Sequence, residues 1–222
     1  MTPQARAALL LLTSGVAIWA GARLFQTLAP APLRTATAPD SMPEQEPQAG
    51  VQPDEGIPTA LPEFSLDDLG GKKTSVSQWR GRPLMINFWA TWCAPCRREI
   101  PLLQSLHESR TAAGMEVIGI AVDYVDKVRD FKERYKISYP LLVGEQEALD
   151  LTRRLGVETP AFPFTVFTDR RGRIVTLYLG ELKRPVAEAI LAVVDELDAG
   201  RMELAPARAR IDAQVRALRE AG

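Results

Sequence analysis

The segment Trp92-Cys93-Ala94-Pro95-Cys96 carries the two cysteines of the chain. Two residues between the sulfurs suit a disulfide that opens and closes during thiol-disulfide exchange. If Cys93 begins a helix, the unpaired N–H groups and the positive end of the helix dipole favour its thiolate, which is the attacking species. Cys96 then lies one turn further on, placed to attack a mixed disulfide formed by Cys93 and to release the partner. Pro95 has a fixed φ and lacks an N–H, so it stiffens this first turn without breaking it. Zinc and haem uses of the pair can be checked by counting. A structural zinc site takes about four Cys or His ligands, and this chain offers two Cys and one His, His107. A c-type haem site needs His directly after the second Cys, where Arg97 stands. A purely structural link stays open as a reading, although so short a loop constrains the unfolded chain little.

Elements must hold the pair in place. The apolar run Leu84 to Trp89 reads as a strand leading into a helix that extends to about Ala113, with Ile100, Leu103 and Leu106 on its inner face and a kink at Pro101. Phe64 to Leu66 and Thr74 to Val76, around Gly70-Gly71, read as a short hairpin. Further along, the pattern predicts strands over 115–122 and 139–143 and helices over 125–135 and 147–155. A second hairpin, 165–168 with 174–179, turns across Asp169 to Gly172. A helix over 185–197 turns Val186, Ile190, Val193, Val194 and Leu197 inward and stops at Gly200. The class is α/β with a mixed sheet.

At 222 residues and 46% apolar content, the chain can bury one good core with appendages. A net charge of −1 without a sustained basic run leaves no footprint for nucleic acid. Residues 1–28 hold an uncharged Ala/Leu-rich stretch between Arg6 and Arg23, read as a membrane-targeting segment. As a helix the stretch rises about 24 Å against a hydrocarbon core of ~30 Å, and snorkelling arginines could cover the difference. A retained anchor is favoured, with a cleaved signal peptide as the alternative. Residues 29–58, rich in Pro, Ala, Gln and Glu, read as a disordered tether, which places the thiol domain, 59–200, outside the cytoplasm. Residues 201–222 read as a terminal amphipathic helix with Ile211, Val215 and Leu218 on one stripe, docked on its own domain.

The stretch from Gly81 to Pro101, GRPLMINFWATWCAPCRREIP, resembles the membrane-tethered thioredoxin-like reductases of the TlpA/ResA type, and the likeness continues to about Gly200. The resemblance implies a thioredoxin-like fold, a mixed central sheet flanked by helices, with an added N-terminal β-hairpin. It also implies reduction of chosen disulfides outside the cytoplasm, including those of apocytochromes c and copper-site proteins. Pro163, nine residues before Gly172, matches the family's cis-proline, with Phe162 before it. Pro160 is the other candidate. Without an N–H, Pro163 would leave neighbouring backbone free to pair with a substrate strand beside Cys93. Glu99, three residues after Cys96, shares its helical face and matches the family's acid at that position. A buried carboxylate there could exchange a proton with Cys96. Asn87 stands where thioredoxins carry a buried aspartate, so Glu99 is read as its substitute. Trp92, Ala94, Pro95 and Phe162 are expected to flank the motif and meet the partner. Trp89 and Trp92 are read as shielding Cys96 or as core packing, His107 as a surface residue, and Arg97 and Arg98 as helping to stabilise the thiolate or as a solvated helix face.

The expected activity is thiol-disulfide exchange in the reducing direction, on protein substrates, by a monomer needing no cofactor beyond its own disulfide. The chain lacks a dinucleotide fingerprint after a strand, so electrons would come from another protein, a transmembrane thiol carrier. A dithiol oxidase would use the same residues in the opposite direction, decided by reduction potential. A copper(I) chaperone using the two thiolates is the binding alternative. A peroxidase reading is weaker, without a distinctive peroxidatic Thr-Cys pattern.

Overall fold

The computed structural model describes residues 50–51, 57–159 and 161–221. The expected membrane segment, most of the tether and Pro160 lie outside the described residues. Among the described residues, no helix is long and apolar enough to cross a membrane.

Eight strands form one mixed sheet: β1 (Gly50–Val51), β2 (Ser65–Asp68), β3 (Lys73–Ser75), β4 (Leu84–Trp89), β5 (Glu116–Ala121), β6 (Leu141–Val143), β7 (Phe164–Thr168) and β8 (Ile174–Leu179). Their order across the sheet is β1-β8-β7-β4-β5-β6-β2-β3. Strands β4, β5 and β6 run parallel to one another, whereas β7 is antiparallel to both β4 and β8. Strands β2 and β3 pair antiparallel, Leu66 opposite Thr74, and β2 extends the sheet from β6. The helices are α1 (Ala94–Arg110), α2 (Val125–Tyr135), α3 (Gln146–Arg154), α4 (Arg184–Asp198) and α5 (Leu204–Glu220).

The two-residue period of the strands divides the core. Met85 and Trp89 of β4, with Val117, Ala121 and Phe167, face the layer of α1, α2, α4 and α5. Leu84, Ile86 and Phe88, with Ile118, Ile120 and Val166, face the opposite layer, where α3 and the chain around Phe64 and Trp79 cover them. All six residues of β4 are buried, as are all six of β5. Such continuous apolar runs fit a sheet covered on both faces.

Local signals set most boundaries. Helix α4 ends before Gly200, whose φ of +71° is open to glycine. Pro101 sits on the exposed side of α1, which runs on to Arg110 and closes with a 3-10 turn over Thr111–Ala113. Helix α5 buries Ala207, Ile211 and Val215 against its own domain. Leu218 lies on the expected stripe but is exposed, near the end of the helix at Glu220. Residues 50–51, expected to belong to the tether, instead pair with the outer edge of β8, Gly50 opposite Leu179. An extended segment at that edge satisfies backbone groups that would otherwise be unpaired.

Candidate active site

Cys93 stands at the junction of β4 and α1. Its backbone is extended (φ −77°, ψ 110°), making it the N-cap of α1, and its sulfur accepts the Cys96 N–H at 3.2 Å. Pro95 follows in the first turn. The two sulfurs are joined in a disulfide with the Cα atoms 5.3 Å apart. Cys93 keeps a sliver of exposure, 5%, whereas Cys96 has 1%. An incoming thiolate therefore meets Cys93 first, and Cys96 is the sulfur that leaves. Thr91, just before the pair, donates its N–H (3.0 Å) and its hydroxyl to Asp123 Oδ2, tying the motif to the end of β5.

Glu99 lies one turn beyond Cys96 on the inner face of α1, 2% exposed. Its Oε1 accepts from Asn87 Nδ2 at 2.7 Å, and its Oε2 accepts from the Leu182 N–H at 2.8 Å. Asn87 in turn donates to Thr165 Oγ1 at 3.1 Å, so both amide hydrogens are used. Burial pushes the Glu99 carboxyl up to about 8. The Leu182 and Asn87 bonds pull the other way, and the charge of Glu181 adds to the rise. A group in that range holds its proton at neutral pH and can still give it up.

The Phe162–Pro163 peptide bond is cis. Pro163 is buried and its carbonyl accepts the Gly180 N–H at 2.8 Å, leaving Phe162 at the rim. The Phe162 ring meets Trp92 edge-on at 6.3 Å between centroids, and stacks on Phe164 at 6.2 Å. Trp92 is 67% exposed. Ala94 is exposed and Pro95 half-buried, so these residues make an apolar border around Cys93. Trp89 differs from its neighbour Trp92: it is buried beneath α1 against Phe131.

Several placements were not legible in the sequence. The Leu182 N–H reaches Glu99 from a loop 83 residues away, a backbone contact without a side-chain signature. Thr165 and Asp123 read as ordinary strand and strand-end residues, although a polar side chain closing an apolar strand beside the motif was a usable hint for Asp123. His107, expected at the surface, is half-buried between α1 and β5, its Nδ1 3.3 Å from Glu116 Oε1. Arg82 holds the other oxygen of Glu116 at 2.8 Å. The distal half of α1 lies across β5 there, which covers the ring. Arg98 is paired with Glu181, Nε to Oε2 at 2.7 Å.

A sequence profile of the AhpC/TSA family matches residues 57–178, more than half of the chain and all of the site up to Tyr178. The chain belongs to the AhpC/TSA family. Within it the chain is a ResA/TlpA-like protein of the thioredoxin superfamily and carries the disulfide-linked CxxC pair of a thiol-disulfide oxidoreductase. It is 29% identical over 131 residues to the thiol-disulfide oxidoreductase ResA of Bacillus thuringiensis (strain Al Hakam), covering 59% of this chain and 73% of that protein. The thioredoxin-like protein YneN of Bacillus subtilis (strain 168) is also 29% identical over 131 residues, covering 57% and 74%. Among solved structures, a secreted thiol-disulfide isomerase from Corynebacterium glutamicum superposes with a TM-score of 0.58 at 27% identity, covering 69% of this chain and 95% of that one.

Proposed function

We propose that this thiol-disulfide oxidoreductase works outside the cytoplasm, held at the membrane by its N-terminal segment, and reduces disulfides of selected envelope proteins. The carrying observation is the contrast between the two sulfurs. Cys93 caps a helix inside an apolar border, and Cys96 is sealed behind it, one turn from a carboxyl that keeps its proton. In the reduced protein, the Cys93 thiolate attacks one sulfur of the substrate disulfide and expels the other as a thiolate. Glu99, once its own proton has passed to the first departing thiolate, takes the Cys96 proton onto its carboxylate, and Cys96 attacks the Cys93 sulfur and releases the substrate's second thiolate. The substrate gains two electrons and the domain is left as the Cys93–Cys96 disulfide. A transmembrane thiol carrier restores it: a donor thiolate attacks Cys93, Glu99 protonates Cys96 as it leaves, and the donor's second thiolate attacks the donor's own sulfur and releases Cys93. Pro163 and Phe162 align the substrate chain, with Trp92, Ala94 and Pro95 providing apolar contact. The reducing direction and the substrate class, apocytochromes c and copper-site proteins, rest on the likeness to TlpA/ResA-type reductases.

The test is trapping. A Cys96→Ala variant expressed in the cell envelope should accumulate mixed disulfides through Cys93 with disulfide-bearing envelope proteins, identified by mass spectrometry. An envelope containing such proteins that yields no Cys93 adducts would reject the substrate claim.

A further inference from the structure

Four residues, Gly180 to Lys183, carry the chain from β8 to α4. Three of them in a row are bonded to parts of the site. The Gly180 N–H donates to the Pro163 carbonyl at 2.8 Å. Glu181 Oε2 accepts from Arg98 Nε at 2.7 Å, with Arg98 Nη2 on the same oxygen. The Leu182 N–H donates to Glu99 Oε2 at 2.8 Å. Neighbours 98 and 99 on α1 are thus tied to neighbours 181 and 182 on the loop, once through side chains and once through the backbone amide that touches the proton carrier.

The two ties lie in different surroundings. Leu182 is as buried as Glu99, and its side chain packs in the same apolar cluster as Ile100 and Leu103. The ion pair is at the rim, its side chains 52% exposed for Arg98 and 24% for Glu181. A pair so open to solvent adds little to stability. What it supplies is geometry, since a planar guanidinium fixes the orientation of the carboxylate it holds. The Leu182 N–H lies in the peptide plane that joins residues 181 and 182. Anchoring the Glu181 side chain therefore restrains the rotation that would turn this N–H off Glu99. Gly180, just upstream at φ +92°, has no side chain to restrain the loop itself.

We infer that Glu181, through its bond to Arg98, is a positioning residue for proton transfer at Cys96, holding the Leu182 N–H on Glu99. This inference rests on the proposed role of Glu99. Position and charge act in opposite senses here: the N–H stabilises the Glu99 carboxylate, whereas the Glu181 charge disfavours it. Because Gly180 of the same loop holds the Pro163 carbonyl, the segment that aligns the substrate and the group that moves the proton share one support.

Two variants separate position from charge. Glu181→Gln removes the charge and keeps an oxygen for Arg98, whereas Glu181→Met removes both and keeps the length of the side chain. In the oxidised full chain, the Glu99 midpoint is followed by carboxyl 13C NMR, with Glu99→Gln identifying the resonance. Exchange of the Leu182 amide is followed at one pH below all the midpoints. The wild type should titrate near 8. Glu181→Gln should lower the midpoint and leave the Leu182 amide as protected as in the wild type. Glu181→Met should titrate about half a pH unit or more above Glu181→Gln and exchange its Leu182 amide roughly tenfold faster. The pH profile for thiol opening of the disulfide should follow the midpoint of each variant. Equal midpoints, or equal Leu182 exchange, in the two variants would mean that burial of the Leu182 side chain alone holds the loop; this overturns the positioning role and leaves the proposed function standing. A wild-type midpoint in the ordinary carboxylate range would remove the role of Glu99, and the positioning role with it.

Discussion

Glu99 is held by two donors and almost no solvent, and this combination sets both its chemistry and its cost to the fold. With a folded value of about 8 against an ordinary 4.5, the native state keeps a proton that the unfolded chain releases. Below pH 4.5 both states are protonated and Glu99 contributes no pH dependence. As pH rises from 4.5 to 8 the unfolded state loses its proton first, so stability falls, by on the order of a few kcal/mol, and levels off above that window. Glu99→Gln should remove this slope in denaturant titrations run across the window. The substitution is sterically mild because Asn87 can turn its amide to offer Oδ1 to the new NH2 while Thr165 donates in return. The same variant should open its disulfide roughly a hundredfold more slowly with a small thiol at pH 7, after correction for thiolate concentration. Its rate should no longer decline as pH passes 8. Equal rates in variant and wild type would take Glu99 out of the proton transfer.

At the scale of elements, the close seating of α1 on β5 and the turn before β6 is what brings the buried polar groups together. Gly119 leaves room for the side chains packed over β5, since a Cβ there would lie 2.6 Å from Leu141 Cδ2 as well as against Trp89 and Tyr139. Gly119→Ala should lower stability by about 1–3 kcal/mol, read as a fall in the thermal midpoint. An unchanged midpoint would mean that the layer is looser than the contacts indicate. Much of the element plan is written in local pattern: the apolar run of β4, the inward residues of α4 and the bounds of α2 follow from periodicity and from stop signals such as Gly200. What pattern hides is pairing at a distance. The edge strand at residues 50–51 has a composition that reads as linker, and only the open edge of β8 gives it a partner. His107 looks like a helix-surface residue until β5 passes beneath it. Tyr139 reads as the first residue of a strand, yet β6 begins at Leu141 and the ring is spent on the space over Gly119.

Across the whole molecule, the sheet delivers one reactive sulfur to an apolar surface and keeps its partner and the proton source inside. Trp92 and Phe162 offer the contact, Cys93 the exchange, and Cys96 with Glu99 the return step. Every part of this account requires Cys93 in the reduced protein to be a reachable, readily ionised nucleophile. The most direct measurement is the pH dependence of iodoacetamide alkylation of the reduced full chain, with each cysteine followed by peptide mass spectrometry. Cys93 should be modified far faster than Cys96 at neutral pH, with a midpoint well below the ~8.5 of a free thiol. Two cysteines that resist alkylation at neutral pH, or a Cys93 that titrates like a free thiol, would contradict it.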